Sequence, residues 1–293
     1  MTAPSRNFAG SDAGREAYRE AATLTRSIEF VMRNFVRIMI GKISLVSLIE
    51  LGQKTFIEEA EKYLQRENPE KKVSLTGLSV LTGLDTRKLT QIRSRDDYNK
   101  PLHEAPGFLD ELTTENCVIE LWTSNPRFSD PDSGEPLTLE LWGEGSSFET
   151  LVRESIRTRG VTVQSVAARM QRNGLVEILD DSRIRLLTSR FAPLEVRQKL
   201  GEIKLGLDAA AHLLGTVDSN LADDGEHKLF QRGSWTHRLS PGNRDKLAHE
   251  MANLLAQVDE DVRSLIERYE EREAADDQVT AGAGLYFFET RGF

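Results

Sequence analysis

Residues 78–93 read LSVLTGLDTRKLTQIR, and seven side chains in or just after this stretch suit nucleic-acid recognition: Thr86, Arg87, Lys88, Thr90, Gln91, Arg93 and Arg95. The paired polar groups of Arg match a guanine edge, and those of Gln an adenine edge. Lys and Thr suit phosphate oxygens or a thymine methyl. The apolar residues between them have the offsets of a two-helix corner. Leu78 and Leu81 supply a short first helix, Gly83 a turn that takes positive φ without a Cβ clash, and Leu84 the corner. Leu89 and Ile92 then anchor a second helix, which Asp85 is placed to cap. Such a corner leaves the seven polar side chains mostly outward, as in a helix-turn-helix whose second helix enters the major groove. The competing reading is a helical corner with a solvated face.

A second set of side chains lies between residues 148 and 187. The spacing predicts a helix over Thr162–Arg172 that exposes Gln164, Ser165, Arg169 and Arg172, with Arg157 and Arg159 just before it. Asp180-Asp181-Ser182 between two short apolar runs signals a hairpin. Strand alternation in RIRLL puts Arg183 and Arg185 on one face and Ile184 and Leu186 on the other. Two arginines on one face suit phosphate contacts or a minor-groove probe. Helix, helix, hairpin is winged-helix order, although the segment is short for a three-helix version. Winged units also serve as plain protein-interaction modules.

Other chemistries lack their residues. None of the five histidines (His103, His212, His227, His237, His249) falls in a zinc spacing, and the single Cys117 excludes a thiolate cluster. His227 and His237 flank KLFQRGSWT and could meet in space, but solvated roles suit them better. AGAG at 281–284 precedes an expected strand, whereas a phosphate-binding loop follows a strand and opens a helix. GEGSS at 143–147 does precede a helix but has no Lys, so a loop with an N-cap is the better reading. The expectation is a non-enzyme with no catalytic residue, cofactor or metal.

The net charge of −9 argues at first against a polyanion partner. Its distribution matters more. Residues 71–95 carry six basic side chains against Asp85 alone, and residues 153–190 carry eight Arg against four acids. Residues 240–277 carry eleven acids against five basic residues, so the acidity lies mainly elsewhere. One cysteine excludes an intramolecular disulfide and points to a reducing compartment. The most apolar stretch, FVRIMIGKISLVSLIELG, is interrupted by Arg37, Gly41 and Lys42, so no membrane span is expected. Together these predict a cytoplasmic protein.

The elements that must position these groups follow from periodicity and turn chemistry. Residues 1–20 read as a disordered tail, 21–105 as a helical domain with the helix-turn-helix, and 106–146 as a linking helix and hairpin. Residues 147–193 read as the winged-helix-like unit. Residues 194–293 read as a helix-strand-helix-strand dimerisation element: a helix near 194–217, a strand in KLFQRGSWTHRL, a helix from Ser240-Pro241 toward Glu273, and a terminal strand in LYFFET. The apolar stripe of the long helix and the exposed LYFF edge predict a homodimer. The fold class expected is mainly α with small β wings (α+β).

RIMIGKISLVSLIELGQKTFIEEA, LSVLTGLDTRKLTQI, PRFSDPDSGEPLTLEL, SFETLVRE and GAGLYFFE carry a resemblance over most of the chain. In them the chain resembles an uncharacterised bacterial family known mainly as a domain of unknown function. The Thr-Gly-Leu turn followed by a basic residue is the most specific part. The resemblance implies a helix-turn-helix and no established activity. More loosely, 73–95 and 148–187 look like winged-helix transcription regulators, from which the C-terminal domain and the acidic total depart. The function expected is sequence-selective binding of double-stranded DNA in transcriptional regulation. The alternative is a non-catalytic interaction scaffold.

Overall fold

The computed structural model describes residues 12–95, 98–156, 160–180, 182–188, 194–222, 228–270 and 280–289. Among these the chain is mainly helical, with ten α-helices and one three-stranded antiparallel sheet, an α+β arrangement. It divides into two compact units, residues 1–200 and 201–293.

The first unit opens on α1 (Asp12–Met39). This helix begins inside the segment expected to be a tail. Its first turns are apolar-poor, yet Ala, Arg and Glu are strong helix formers, and propensity does not need burial. Gly41, with φ 80°, ends the helical run, and Ser44 caps α2 (Leu45–Glu67) by accepting from the Ser47 amide. Two short helices follow, α3 (Leu75–Thr82) and α4 (Thr86–Arg93). Ile57 and Ala60 of α2, Leu78 of α3, Leu89 of α4 and Tyr98 form one buried cluster, bordered by Leu64, Val73, Leu84 and Ile92.

A second small cluster, Leu102, Ala105 and Phe108 with Ile43, Leu51 and Leu112, pins the start of α2 to α5 (Pro106–Asp110). The Ser47 hydroxyl donates to the Glu111 carbonyl at 2.9 Å, and the Ser44 amide donates to Leu112 at 2.8 Å.

The largest cluster spans Val118 to Ile184. It joins α6 (Thr114–Ser124), β1 (Leu139–Glu140), α7 (Phe148–Ser155), α8 (Val163–Arg172), β2 (Val176–Leu179) and β3 (Arg183–Leu186). The sheet order is β1-β3-β2, all antiparallel, with Leu139 opposite Ile184 and Ile178 opposite Ile184 on the other side. Thus α6 and β1 share a core with the elements after residue 146, and the expected boundary at 146/147 runs through that core. Trp122 is the reason: it is fully buried, its ring lies 5.6 Å from that of Phe148, and its Nε1 donates to the Leu137 carbonyl at 3.0 Å. Residues 128–137 between them close a hairpin. Leu137 N donates to Phe128 O, and the Asp130 carboxylate accepts from the amides of Asp132 and Ser133. Those bonds hold the Asp130 carboxyl below its ordinary pKa.

The second unit holds most of α9 (Leu194–Ala222), which bends at the non-helical Lys199, and α10 (Pro241–Tyr269). The strands expected in 228–239 and in LYFFET are absent: the described residues 228–239 and 280–289 form no ladder. Their alternation suits a strand, but a strand needs a second strand beside it for its backbone groups, and neither segment has one among the described residues. Instead Asn220 of α9 brackets Leu229, accepting from its amide at 2.8 Å and donating to its carbonyl at 3.1 Å. This part of the expected helix-strand-helix-strand element is therefore helix and extended coil. No helix among the described residues is long and apolar enough to cross a membrane.

Candidate nucleic-acid interface

The corner between α3 and α4 is tightly made. Gly83 has φ 71°, where a Cβ would be strained, and its amide closes α3 onto Ser79 O. The Ser79 hydroxyl donates to Leu84 O at 2.7 Å, and Thr82 Oγ1 accepts from Leu84 N at 3.3 Å. Asp85 accepts from the Lys88 amide at 2.8 Å, which places its carboxylate on the helix end rather than toward a ligand. Leu78 and Leu89 are fully buried, and Leu84 and Ile92 border them. Leu81, expected inside, is 41% exposed, because the one face of α3 that meets α2 is filled by Leu78.

The outward residues of α4 separate into two sets. Thr86, Arg87, Thr90 and Gln91 are exposed and Lys88 is half-buried, and neither Arg87 nor Lys88 forms an ion pair with a described residue. Arg93 and Arg95 face back toward α2. Arg93 Nε lies 2.9 Å from Glu61 Oε1, an ion pair without hydrogen-bond alignment, and Arg95 binds Glu50. Those two arginines, expected outward, instead fasten the end of α4. Lys54 of α2 completes the fastening: it is buried, donates to the Lys100 carbonyl, and sits 5.8 Å from the Tyr98 ring centroid. Burial, together with the nearby Glu61, pushes the Tyr98 hydroxyl up to about 12. The exposed Lys71 and Lys72 stand just before Ser74, the cap of α3, and the amides of a helix start favour anions in general. KKVS is their sequence signal: two Lys directly before the Ser that caps α3.

The second set of arginines is engaged differently. Gln164 and Arg172 on α8 are exposed, and Thr162 caps that helix by accepting from the Ser165 amide. Arg169, expected at a ligand, binds the buried carboxylate of Glu115 through its Nε, and Asn173 Nδ2 adds a bond of 3.2 Å. Glu115 Oε2 has no hydrogen-bond partner among the described residues, so Arg169 is the charge that keeps this buried acid tolerable. Arg183 and Arg185 do share the exposed face opposite Ile184. Each is paired with an acid of its own hairpin, Arg183 with Asp180 at 2.6 Å and Arg185 with Glu177. Asp180 adopts φ 51°, the left-handed turn position that a hairpin requires. Arg157 and Arg159 lie outside the described residues.

Residues 143–147 hold no open anion cradle. Ser147 caps α7 by accepting from Thr150 N, and the Gly143 amide donates to Glu149 Oε2 at 3.3 Å. Burial pushes the Cys117 thiol up, the direction of an unreactive structural thiol. His227 lies outside the described residues, and no group of three potential metal ligands occurs among those described.

Residues 20–292 match a family described as a family of unknown function, DUF6502. The chain belongs to that family. No curated protein and no solved structure matches the chain. The family match covers the α3–α4 corner, the Val118–Ile184 core and the second unit, so all three belong to the family's shared extent.

Proposed function

We propose that this member of the family is a non-catalytic, sequence-selective binder of double-stranded DNA, and that it acts in transcriptional regulation in a reducing cytoplasm. The supporting observation is the face of α4. Thr86, Arg87, Thr90 and Gln91 project from a helix fixed by Asp85, Arg93 and Arg95, and among the described residues no acid pairs with Arg87 or Lys88. A rigid helix whose free side chains are Arg, Gln, Thr and Lys is what base-edge and phosphate contacts need. In this reading α3 and α4 are a helix-turn-helix. The elements α6, β1, α7, α8, β2 and β3 form a winged helix, with its first helix and first strand drawn from residues before 147. A homodimer would present two α4 helices to two half-sites.

Selection from a random duplex pool tests this reading directly. The expected result is an enriched motif whose binding weakens steeply with added salt. No retention of any duplex at low salt would remove the reading.

A second reading has its own support. The arginines of the β2–β3 hairpin are matched by Asp180 and Glu177, which leaves that face charge-balanced. A balanced, exposed hairpin suits a protein partner better than a phosphate backbone. Under this reading the chain is an interaction scaffold.

A further inference from the structure

The basic residues of α1 are all arginines: Arg15, Arg19, Arg26, Arg33 and Arg37. They follow one another in steps of four, seven, seven and four. Such steps return a side chain to nearly the same side of a helix. Measured around α1 from Ile28, at about 100° per residue, all the arginines lie at about 140–180°. No other residue of the helix falls in that arc. Every arginine of the row is exposed. Arg19 and Arg26 form no ion pair with a described residue, and Arg37 donates to the neutral Asn34 Oδ1 at 3.3 Å. Arg33 is paired with Glu29 along the helix. The row is particular to α1: in α2, α9 and α10, the other long helices, acids outnumber basic residues.

The row's length and grouping suit a duplex. From Arg15 to Arg37 it runs about 33 Å at 1.5 Å per residue, and one turn of duplex DNA is about 34–36 Å. A straight row laid along the duplex axis therefore meets one strand near each end and the other strand between. Arg15 and Arg19 stand at one end, Arg26 in the middle, and Arg33 and Arg37 at the other. The planar guanidinium fork matches phosphate oxygens bidentately.

An anionic lipid surface is the rival partner, because the opposite side of α1 exposes Leu24, Ile28, Val31 and Met32. The charges on the rim of that apolar face weigh against it. Glu20 lies at about 80° from Ile28, Glu29 at about 100° and Glu16 at about 120°. Lipid headgroups would meet these acids while the arginines pointed away from the membrane.

We propose that the arginine row of α1 is a phosphate-contacting surface for the backbone of duplex DNA, separate from α4 and without sequence preference. It rests on the DNA reading only for the choice of polyanion.

The test uses the full chain and two duplexes, one drawn from the selected pool and one random, with affinity followed against salt. Arg19→Gln with Arg26→Gln and Arg37→Gln keeps good helix formers on an exposed face. On both duplexes it should lower the slope of log affinity against log salt by about three, near 0.9 per lost contact. The ratio of the two affinities should stay the same. Arg19→Lys with Arg26→Lys and Arg37→Lys should keep the slope, since the charges remain. Lys228→Gln with Arg232→Gln and Arg238→Gln makes the same change in net charge on exposed residues of the second unit. That control should move the slope by less than about one. An unchanged slope in the α1 glutamine variant, or an equal fall in the control, would overturn the proposal. So would a native chain that binds neither duplex but is held by phosphatidylserine vesicles. Equal affinity for both duplexes, with the slope still falling in the α1 variant, would end the sequence-selective reading and leave the arginine row standing. A selected motif with an unchanged slope would do the reverse.

Discussion

The corner α3–α4 and the corner α7–α8 with its hairpin are built alike and spend their arginines differently. Each places a side-chain cap at the start of its second helix, Asp85 in one and Thr162 in the other, and each buries apolar residues behind it. In the first corner the paired arginines, Arg93 and Arg95, reach back to α2, and Arg87 and Lys88 on the front of the helix form no ion pair with a described residue. In the second corner Arg169 serves a buried acid, and Arg183 and Arg185 are matched by acids on the exposed face itself. An arginine paired to a neighbouring carboxylate contributes a dipole, and it attracts a polyanion far less than a free charge does. The number of basic residues in a segment therefore says little about its field until their partners are known.

Four variants, one of them with a rescue, test this contrast. The largest effect belongs to Trp122→Ala, which empties the centre of the Val118–Ile184 core and should cost about 3–5 kcal/mol. Urea unfolding followed by circular dichroism should show that loss in a transition separate from that of the Ile57–Tyr98 cluster. A single transition shifted as a whole would mean that the two corners fold as one. Next, Arg87→Ala with Gln91→Ala should weaken binding to a selected DNA site, each bidentate contact being worth about 1–3 kcal/mol. The same double variant should leave the melting temperature unchanged, and unaltered DNA affinity would end the contrast.

Arg169→Ala should act on stability. It strands the Glu115 carboxylate, at about 1–3 kcal/mol, less than for a wholly buried pair because Arg169 is half exposed. Adding Glu115→Gln should recover most of that loss. If DNA affinity fell instead with stability intact, the second corner would be a reading surface after all. The smallest effect is expected from Arg183→Ala with Arg185→Ala, within about 0.5 kcal/mol in stability, as for exposed pairs. Little change in the salt dependence of DNA binding should accompany it, as titration by fluorescence anisotropy would show.

Much of both corners was legible in the sequence. The Gly83 turn, the Asp85 and Ser147 caps, the burial of Leu78 and Leu89, and the alternation around Ile184 follow from local rules acting over a few residues. The helix from Asp12 was hidden because its first turns lack an apolar face. The strands expected in KLFQRGSWTHRL and LYFFET failed for the opposite reason: the local pattern was right, but a strand exists only with a partner, and the described residues there form no ladder. Arg93, Arg95 and Arg169 could not be assigned from spacing, since their acids lie far away in sequence: Arg93 with Glu61, Arg95 with Glu50 and Arg169 with Glu115.

What the sequence determined by itself is the local grammar of this chain: helix periods, caps and the two corners. Each depends on residues three, four or seven apart, whose relative positions the backbone fixes before any tertiary contact forms. Only the tertiary structure decided which core Trp122 and α6 join, and which arginines at the end of α4 pair with α2. Those outcomes depend on which distant segments meet, and an ion pair between residues 45 or 54 positions apart leaves no periodic trace in either partner.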